Sequence, residues 1–254
     1  MHPTIDLGIE EISLYTALVI FGAAIGLVTA FLFLRTYSRR IYSLELFLDA
    51  ALVTFAAGWI GARVYHVALN WEYYSTRSDE LWNWQAGGLG MRGALVAGFI
   101  ALAIFARGRR ISFWRLADAT GLGLAIGQAV GWVGAFVEGA NYGAVSDSVI
   151  AMELPNLYGI VEPRVPLQFA EIALFALLFA GLWFGSFRRP RVGVLFVVYL
   201  VIASLGNFAL AFFRGDESIF VGALRVDQVF DAAFAASALI AWMILPRTNV
   251  GNVG

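Results

Sequence analysis

The chain has 254 residues, of which 60% are hydrophobic and only 14% are charged, and its mean hydropathy is +0.77. A water-soluble domain of this length cannot bury so much apolar surface, because about half apolar composition is already the norm for soluble proteins. The class is therefore a polytopic membrane protein, and the net charge of −1 argues against a nucleic-acid partner. The absence of cysteine excludes disulfides, thiolate nucleophiles and cysteine metal sites. All 17 basic residues are arginine, which excludes a catalytic lysine and a Schiff base.

Seven stretches are long and apolar enough to cross a bilayer, which requires about 20 residues in a helix. No basic segment precedes the first stretch and no small-residue cleavage site interrupts it, so it is predicted to be a retained span. The second, third, fourth and seventh stretches contain polar residues that can face the interior of a helix bundle. The predicted spans are 14–34, 46–69, 88–106, 116–137, 165–187, 192–213 and 223–246.

The distribution of arginine predicts the orientation of the spans. Four arginines lie in the alternate connections, among many acids that include Glu10, Glu153 and Glu162. By the positive-inside rule the N-terminus is predicted to be outside and the C-terminus cytoplasmic. The arginines after spans one, three, five and seven are Arg35, Arg39, Arg40, Arg107, Arg109, Arg110, Arg115, Arg188, Arg189, Arg191 and Arg247, and the other four are Arg77, Arg164, Arg214 and Arg225.

Two outer segments, 70–87 and 138–164, are long enough to fold on their own. The first carries several tryptophan and tyrosine residues, a pattern typical of the aromatic belt at a membrane interface. No internal repeat or linker interrupts the chain, so we predict one all-α domain of seven transmembrane helices over residues 1–254.

Ionisable residues within the predicted spans are costly in a bilayer and therefore call for a reason. Asp49 and Asp118 lie near arginine clusters, and we expect them to form ion pairs at the interface. Arg63 and His66 are one turn apart and share a helix face. Arg92 could either form an ion pair with an acidic side chain or bind the phosphate of a lipid, since a guanidinium suits both. The complete set is Asp49, Arg63, His66, Arg92, Asp118, Glu171, Asp227 and Asp231.

The residues offer little hydrolytic chemistry. His2 is terminal and His66 stands alone, so no Ser-His-acid arrangement is formed. Neither a glycine-rich phosphate loop nor a metal-ligand cluster is present in the sequence, and we expect no metal and no cofactor. The only small molecule that we expect is a bound phospholipid.

Several motifs keep glycines and aromatics in a distinctive order. The strongest are "GARVYHVALNWEYY" (61–74), "WQAGGLGMRGALVAG" (84–98) and "ADATGLGLAIGQAVGWVGAFVEGANYG" (117–143). Weaker ones are "VPLQFAE" (165–171), "LGNFALAFFRGDE" (205–217) and "VDQVFD" (226–231). In these motifs and their spacing the chain resembles the prolipoprotein diacylglyceryl transferase family of the bacterial inner membrane. That resemblance implies seven spans and the transfer of a diacylglyceryl group from phosphatidylglycerol to the thiol of a lipobox cysteine.

At most positions that the resemblance assigns to the reaction, this chain carries another residue. The family's His-Gly-Gly is Arg92-Gly93-Ala94 here, and arginine cannot replace a histidine base because guanidinium stays protonated. In the signature of the fourth span, tryptophan and alanine stand for the family's Arg, Asn and Glu. Later, Asn207 and Ala211 stand for an Arg and a Glu, whereas Arg214 is kept. The substituted positions are Arg92, Trp132, Ala135, Ala140, Asn207 and Ala211.

The resemblance leaves a set of retained residues that could hold a lipid. These lipid-binding candidates are Arg63, His66, Arg92, Gln128, Gly134, Gly143 and Arg214.

Three functional hypotheses follow from these residues. The first is a catalytically silent relative that acts as a lipid-binding scaffold or as an accessory subunit beside other membrane subunits, with no catalytic residue. The second is a working transferase with a rearranged centre, in which Arg92 with Arg63 or Arg214 clamps a phosphate and His66, Glu138 or Glu171 moves protons. The third is a lipid or small-molecule transporter built on the same fold.

Overall fold

The computed structural model describes residues 4–6, 11–37, 39, 41–84 and 87–245. Eight α-helices lie within these ranges, joined by short strands and two short 3₁₀ helices. The helices are α1 (Leu14–Tyr37), α2 (Leu44–Leu69), α3 (Trp71–Ser75), α4 (Met91–Gly108), α5 (Phe113–Glu138), α6 (Leu167–Ser186), α7 (Val194–Leu210) and α8 (Val226–Ile244). Residues used above that fall outside the described ranges are His2, Glu10, Arg40, Gln85, Ala86, Pro246 and Arg247.

The seven predicted spans are confirmed. Seven helices are long and apolar enough to cross a membrane, and their ends differ from the predicted ones by at most three residues. They are α1, α2, α4, α5, α6, α7 with the 3₁₀ turn that follows it, and α8. The orientation of the spans and the single domain stay predictions.

Within the described residues, three antiparallel strand pairs that the sequence did not predict lie before the first helix or in the connections between helices. They are β1 (Thr4–Asp6) with β2 (Glu11–Ser13), β3 (Met152–Pro155) with β4 (Val161–Arg164), and β5 (Phe220–Val221) with β6 (Leu224–Arg225). The register of the second hairpin pairs Met152 with Arg164 and Leu154 with Glu162. This pairing turns the Arg164 side chain inward, where it is 4% exposed.

The described chain divides into two compact units, residues 33–117 and residues 1–32 with 118–254. In the first unit, α2 and α4 approach closely because small residues face each other. A Cβ built on Gly61 would lie 2.6 Å from the carbonyl oxygen of Gly93, and one built on Gly58 would lie 3.2 Å from that of Ala94. Small residues commonly allow helices to pack closely in a membrane. The hydrophobic effect does not drive helices together there, because the surrounding lipid is as apolar as the side chains.

In the second unit, α6 contributes a buried apolar face to the core beside α7, and α7 packs in turn on α8. The buried residues of α6 are Leu167, Gln168, Glu171, Phe175, Leu178 and Leu182. Glycines at 22 and 26 of α1 face glycines at 127 and 123 of α5 in the same unit. Apolar packing and glycine contacts therefore hold the helices of this unit together.

Two predicted ion pairs had different outcomes. Asp49 pairs with Arg109 at 2.7 Å on an exposed surface, which confirms the expectation. The expectation for Asp118 is wrong. Its carboxylate is buried and accepts the backbone N–H groups of Gly193 (2.7 Å) and Phe196 (2.9 Å) at the start of α7. A carboxylate is stabilised there because the first N–H groups of a helix have no partner within it.

Candidate functional site

The motif at 131–143 lies at the end of α5, where the helix gives way to a loop that we call the signature loop, residues 139–143. Gly139 adopts φ +70°, and a Cβ there would lie 2.7 Å from the carbonyl oxygen of Asn156. Asn141 adopts φ +51°, a conformation that asparagine tolerates better than most residues. Glycine at 139 therefore allows both the turn and the close approach of the outer hairpin.

Two distant segments bind the main chain of the signature loop. Gln168, at the start of α6, donates through Nε2 to the carbonyl of Ala140 at 3.1 Å. Gly143 forms an antiparallel bridge with Arg214, and the N–H of Gly215 donates to the carbonyl of Tyr142 at 2.9 Å. The loop is consequently the point where α5, α6 and the segment after α7 meet.

Arg214 holds the centre of this arrangement. Its Nε and Nη2 donate to the two carboxylate oxygens of Asp216 at 2.8 and 2.5 Å, and Nη2 also donates to Oδ1 of Asn141 at 2.7 Å. Its Nη1 lies 3.5 Å from a carboxylate oxygen of Asp227 on α8. Burial lowers the pKa of Arg214, but the hydrogen bond and charge of Asp216, with the charges of Asp227 and Glu171, outweigh it and raise that pKa. The guanidinium is therefore a permanent cation with two of its three nitrogens bound to neighbouring side chains.

Two buried arginines contact Arg214 or the signature loop. Arg225 donates to Asp216 and to the carbonyl of Arg214, and its own N–H donates to Oε1 of Gln228, which caps α8. Arg164 pairs with Glu162, donates to the carbonyl of Gly143 at 3.4 Å, and lies over the ring of Tyr142 at 4.8 Å. The signature loop is thus surrounded by fixed guanidinium groups, each of which is paired with a carboxylate.

The substituted positions of this unit are apolar or only partly satisfied. Ala135 and Ala211 are buried, and Trp132 is half-buried. Oδ1 of Asn207 is buried with no hydrogen-bond partner among the described residues. Gly134 packs on Tyr15, and Gln128 accepts a hydrogen bond from Tyr199 at 2.7 Å. Of the candidates in this unit, the structure brings Gly143 and Arg214 together, and it assigns Gln128 and Gly134 to contacts between helices.

The remaining candidates lie in the unit formed by residues 33–117. Arg63 is 1% exposed, and its guanidinium donates to four backbone carbonyls of the described residues. His66 lies against Gly88 and meets Tyr74 edge to face at 6.0 Å. Arg92 is half-buried in the first turn of α4. Arg63 and His66 do share a helix face, because a Cβ on Gly88 would lie within 3 Å of both side chains. The carbonyls that Arg63 binds are those of Glu80 (2.7 Å), Leu81 (2.8 Å), Gly87 (2.7 Å) and Gly88 (3.3 Å).

The residues that hold Arg214 and the loop were not predicted from the sequence. Asn141, Asp216, Arg225 and Gln168 were not candidates for the site, and Arg164 served only for orientation. One signal was available, because Asp216 follows Arg214 by two residues in "RGDE". No group of three or more His, Asp or Glu suited to a metal ion occurs in the part of the chain that the structure describes.

Seven helices able to span a membrane, together with an arginine-centred loop at the end of one of them, define a multi-pass membrane protein with a polar site at the helix ends. The family model of prolipoprotein diacylglyceryl transferase matches residues 3–244, and the chain belongs to that family.

Curated relatives agree with this assignment. One from Thermosynechococcus vestitus is 32% identical over 94% of this chain and 90% of its own length. One from Geobacillus kaustophilus is 31% identical over 94% and 90%, and one from Symbiobacterium thermophilum is 34% identical over 81% and 80%. All three are named phosphatidylglycerol–prolipoprotein diacylglyceryl transferase. These names support a transferase family in a bacterial membrane and give no support to the silent-scaffold hypothesis.

Proposed function

We propose that this chain is a diacylglyceryl transferase of the bacterial cytoplasmic membrane with a rearranged reaction centre. Its donor is phosphatidylglycerol and its acceptor is the thiol of a lipobox cysteine. Family membership supports the reaction class. The observation that carries the proposal is Arg214, a cation with a 12% exposed side chain, whose side chain and main chain both contact the signature loop.

The reaction makes one bond and breaks one. The cysteine sulfur attacks the glyceryl carbon of the donor, the C–S bond forms, and the C–O bond to phosphate breaks. Glycerol phosphate leaves with the electron pair, and a base takes the thiol proton. A fixed guanidinium near the leaving phosphate stabilises the charge that develops there, and a cation held in place before reaction does so most effectively. Arg214 has this character.

In the unit that holds Arg214 the base must come from a carboxylate, because a guanidinium cannot accept a proton at physiological pH. Glu171 is the first choice in the unit that holds Arg214, since it is 3% exposed and its charge acts on that arginine. Glu138, at the end of α5, is the second. The family positions now occupied by Trp132, Ala140 and Asn207 supply no charge, so Arg214 has to account for more of the binding.

A direct assay tests the proposal. The purified chain is placed in vesicles of phosphatidylglycerol with a lipobox peptide, and the product peptide and the released glycerol phosphate are measured by mass spectrometry. Arg214→Gln is expected to lower kcat/KM about 100-fold, as the loss of one oriented charge-stabilising donor does in other enzymes. The matched control is Arg77→Gln, which removes an exposed arginine of the outer segment. Absence of product from the wild-type chain would refute the proposed function.

A second candidate is favoured by the substituted positions themselves. Trp132 and Asn207 stand where the resemblance places arginines, and the buried Oδ1 of Asn207 has no hydrogen-bond partner among the described residues. A lipid-binding accessory subunit of a membrane complex needs neither arginine. This candidate predicts no turnover, retained binding of phospholipid, and recovery of the chain with other membrane subunits after mild solubilisation.

A further inference from the structure

The carboxylate of Asp216 lies between two arginines, Arg214 and Arg225, whose side chains are 12% and 7% exposed. One oxygen accepts from Nε of Arg214 at 2.8 Å and from Nη2 of Arg225 at 3.0 Å, and the other accepts from Nη2 of Arg214 at 2.5 Å. The backbone carbonyl of Asp216 accepts a further bond from Arg225 at 2.6 Å. Asp216 therefore binds both guanidinium groups with its side chain, and it binds that of Arg225 with its main-chain carbonyl as well.

The geometry of this contact restricts Arg214. A carboxylate that faces Nε and Nη2 together forms the two-pronged pair that fixes the plane of a guanidinium. Rotation of the Arg214 side chain would break both prongs. The position of the third nitrogen, Nη1, is then fixed as well, and it lies 3.5 Å from the carboxylate of Asp227.

The same contact joins two parts of the site. On one side, Arg214 reaches the signature loop through Asn141. On the other side, Arg225 precedes α8, and its N–H is bound by Gln228 of the first turn of that helix. The signature loop and the start of α8 are thus connected through Asp216, although 75 residues of sequence separate Asn141 from Asp216.

We infer that Asp216 is a positioning residue, which orients the guanidinium of Arg214 toward the phosphate of an anionic phospholipid. The inference rests on the proposed function, because it assigns to Arg214 the binding of the donor headgroup. Asp216 itself does not touch the lipid, since its side-chain oxygens are occupied by the two arginines. Its substitution acts on lipid binding only through Arg214.

A double-mutant cycle on the full-length chain tests this inference. Binding of dioleoyl phosphatidylglycerol to the detergent-solubilised protein is measured by native mass spectrometry for the wild type, Asp216→Asn, Arg214→Gln and the double variant. Asp216→Asn is expected to weaken binding about tenfold, and the double variant to bind no worse than Arg214→Gln, because coupled residues are not additive. Asp216→Glu keeps the carboxylate and is expected to restore binding to within about threefold of the wild type.

Two results would overturn the inference. The first is additive losses in the double variant, which would assign Asp216 a general structural role. The second is tight binding by Asp216→Asn. A wild-type chain that binds the lipid through Arg214 but transfers no diacylglyceryl group would refute the proposed function and leave the role of Asp216 to be decided by the cycle. Binding that does not change in Arg214→Gln would refute both.

Discussion

Gly26 of α1 and Gly123 of α5 pack backbone to backbone, since a Cβ built on either residue would lie 2.6 Å from the carbonyl oxygen of the other. Neither helix can move aside independently, because Gly22 and Gly127 make a second contact one turn away, where a Cβ on Gly22 would lie 2.8 Å from the carbonyl oxygen of Gly127. The motif between 117 and 143 therefore builds the helix pair that precedes the signature loop.

This contact predicts the effect of adding a methyl group. Gly123→Ala is expected to destabilise the protein by about 1–3 kcal/mol, because overfilling a close contact forces the two helices apart. The measurement is thermal unfolding of the detergent-solubilised chain, followed by tryptophan fluorescence. Gly131→Ala is the matched control in the same helix, since nothing lies within 4 Å of a Cβ at that position. Equal losses for the two variants would contradict the prediction.

Arg63 organises the outer segment that follows α2. Arg63→Gln is expected to cost about 2–4 kcal/mol and to expose residues 76–88 to protease, because a glutamine amide cannot serve all four carbonyls that the guanidinium binds. Chymotrypsin cleavage after Trp82 measures this directly. Arg77→Gln is the control, because that side chain is exposed on the ring of Tyr73. Unchanged cleavage in Arg63→Gln would show that the segment stays folded without the hydrogen bonds of Arg63.

Asp118 and Asp49 form a second matched pair. Asp118→Asn is expected to destabilise the protein by about 1–2 kcal/mol, since an amide oxygen and an NH₂ group cannot both accept from the N–H groups at the start of α7. Asp49→Asn removes an ion pair whose side chains are 52% and 55% exposed, and such pairs contribute about 0–1 kcal/mol. Thermal unfolding of the two variants compares them. A larger effect at Asp49 than at Asp118 would be inconsistent with the capping contact.

Tyr73 carries a pH-dependent contact in the outer segment. Its hydroxyl donates to Glu80 at 2.7 Å, and this bond, followed by the small desolvation and the charge of Glu80, raises the pKa of Tyr73. A raised pKa in the folded state means that the contact stabilises below the pKa of an unfolded tyrosine, near 10, and is lost as the pH rises through the folded value. Titration by ¹³C NMR of labelled tyrosine is expected to show the pKa of Tyr73 falling toward 10 in Glu80→Gln. An unchanged pKa of Tyr73 in Glu80→Gln would show that Glu80 does not raise it.

The orientation of the spans is directly testable because the chain has no cysteine. Single cysteines at the exposed positions 78 and 112, introduced as Ser78→Cys and Ser112→Cys, lie in successive connections. The positive-inside rule predicts that a membrane-impermeant maleimide labels Ser78→Cys in intact cells and Ser112→Cys only after permeabilisation. The unsubstituted chain serves as the blank. The reverse pattern would place the N-terminus in the cytoplasm.

The membrane spans could be predicted from the sequence, whereas the partners of buried acidic residues could not. The spans were predicted to within three residues because their signal is local, and α1 is a continuous apolar run of sufficient length. The exposed pair of Asp49 and Arg109 followed from charges at the ends of neighbouring spans. The partners of Asp118 could not be predicted in this way, because a carboxylate can bind backbone N–H groups as well as arginine. The N–H groups that it binds, at the start of α7, are 75 residues away in the chain.

The sequence by itself determined the class of protein and the number and limits of its membrane spans, because hydropathy acts locally. Only the tertiary structure decided the partners of the arginines. Arg63 binds carbonyls instead of a phosphate or an acid, and Arg214 is shared among Asn141, Asp216 and Asp227. A guanidinium has five N–H groups and accepts carbonyls and carboxylates alike, so its partners depend on which segments the packing brings within reach.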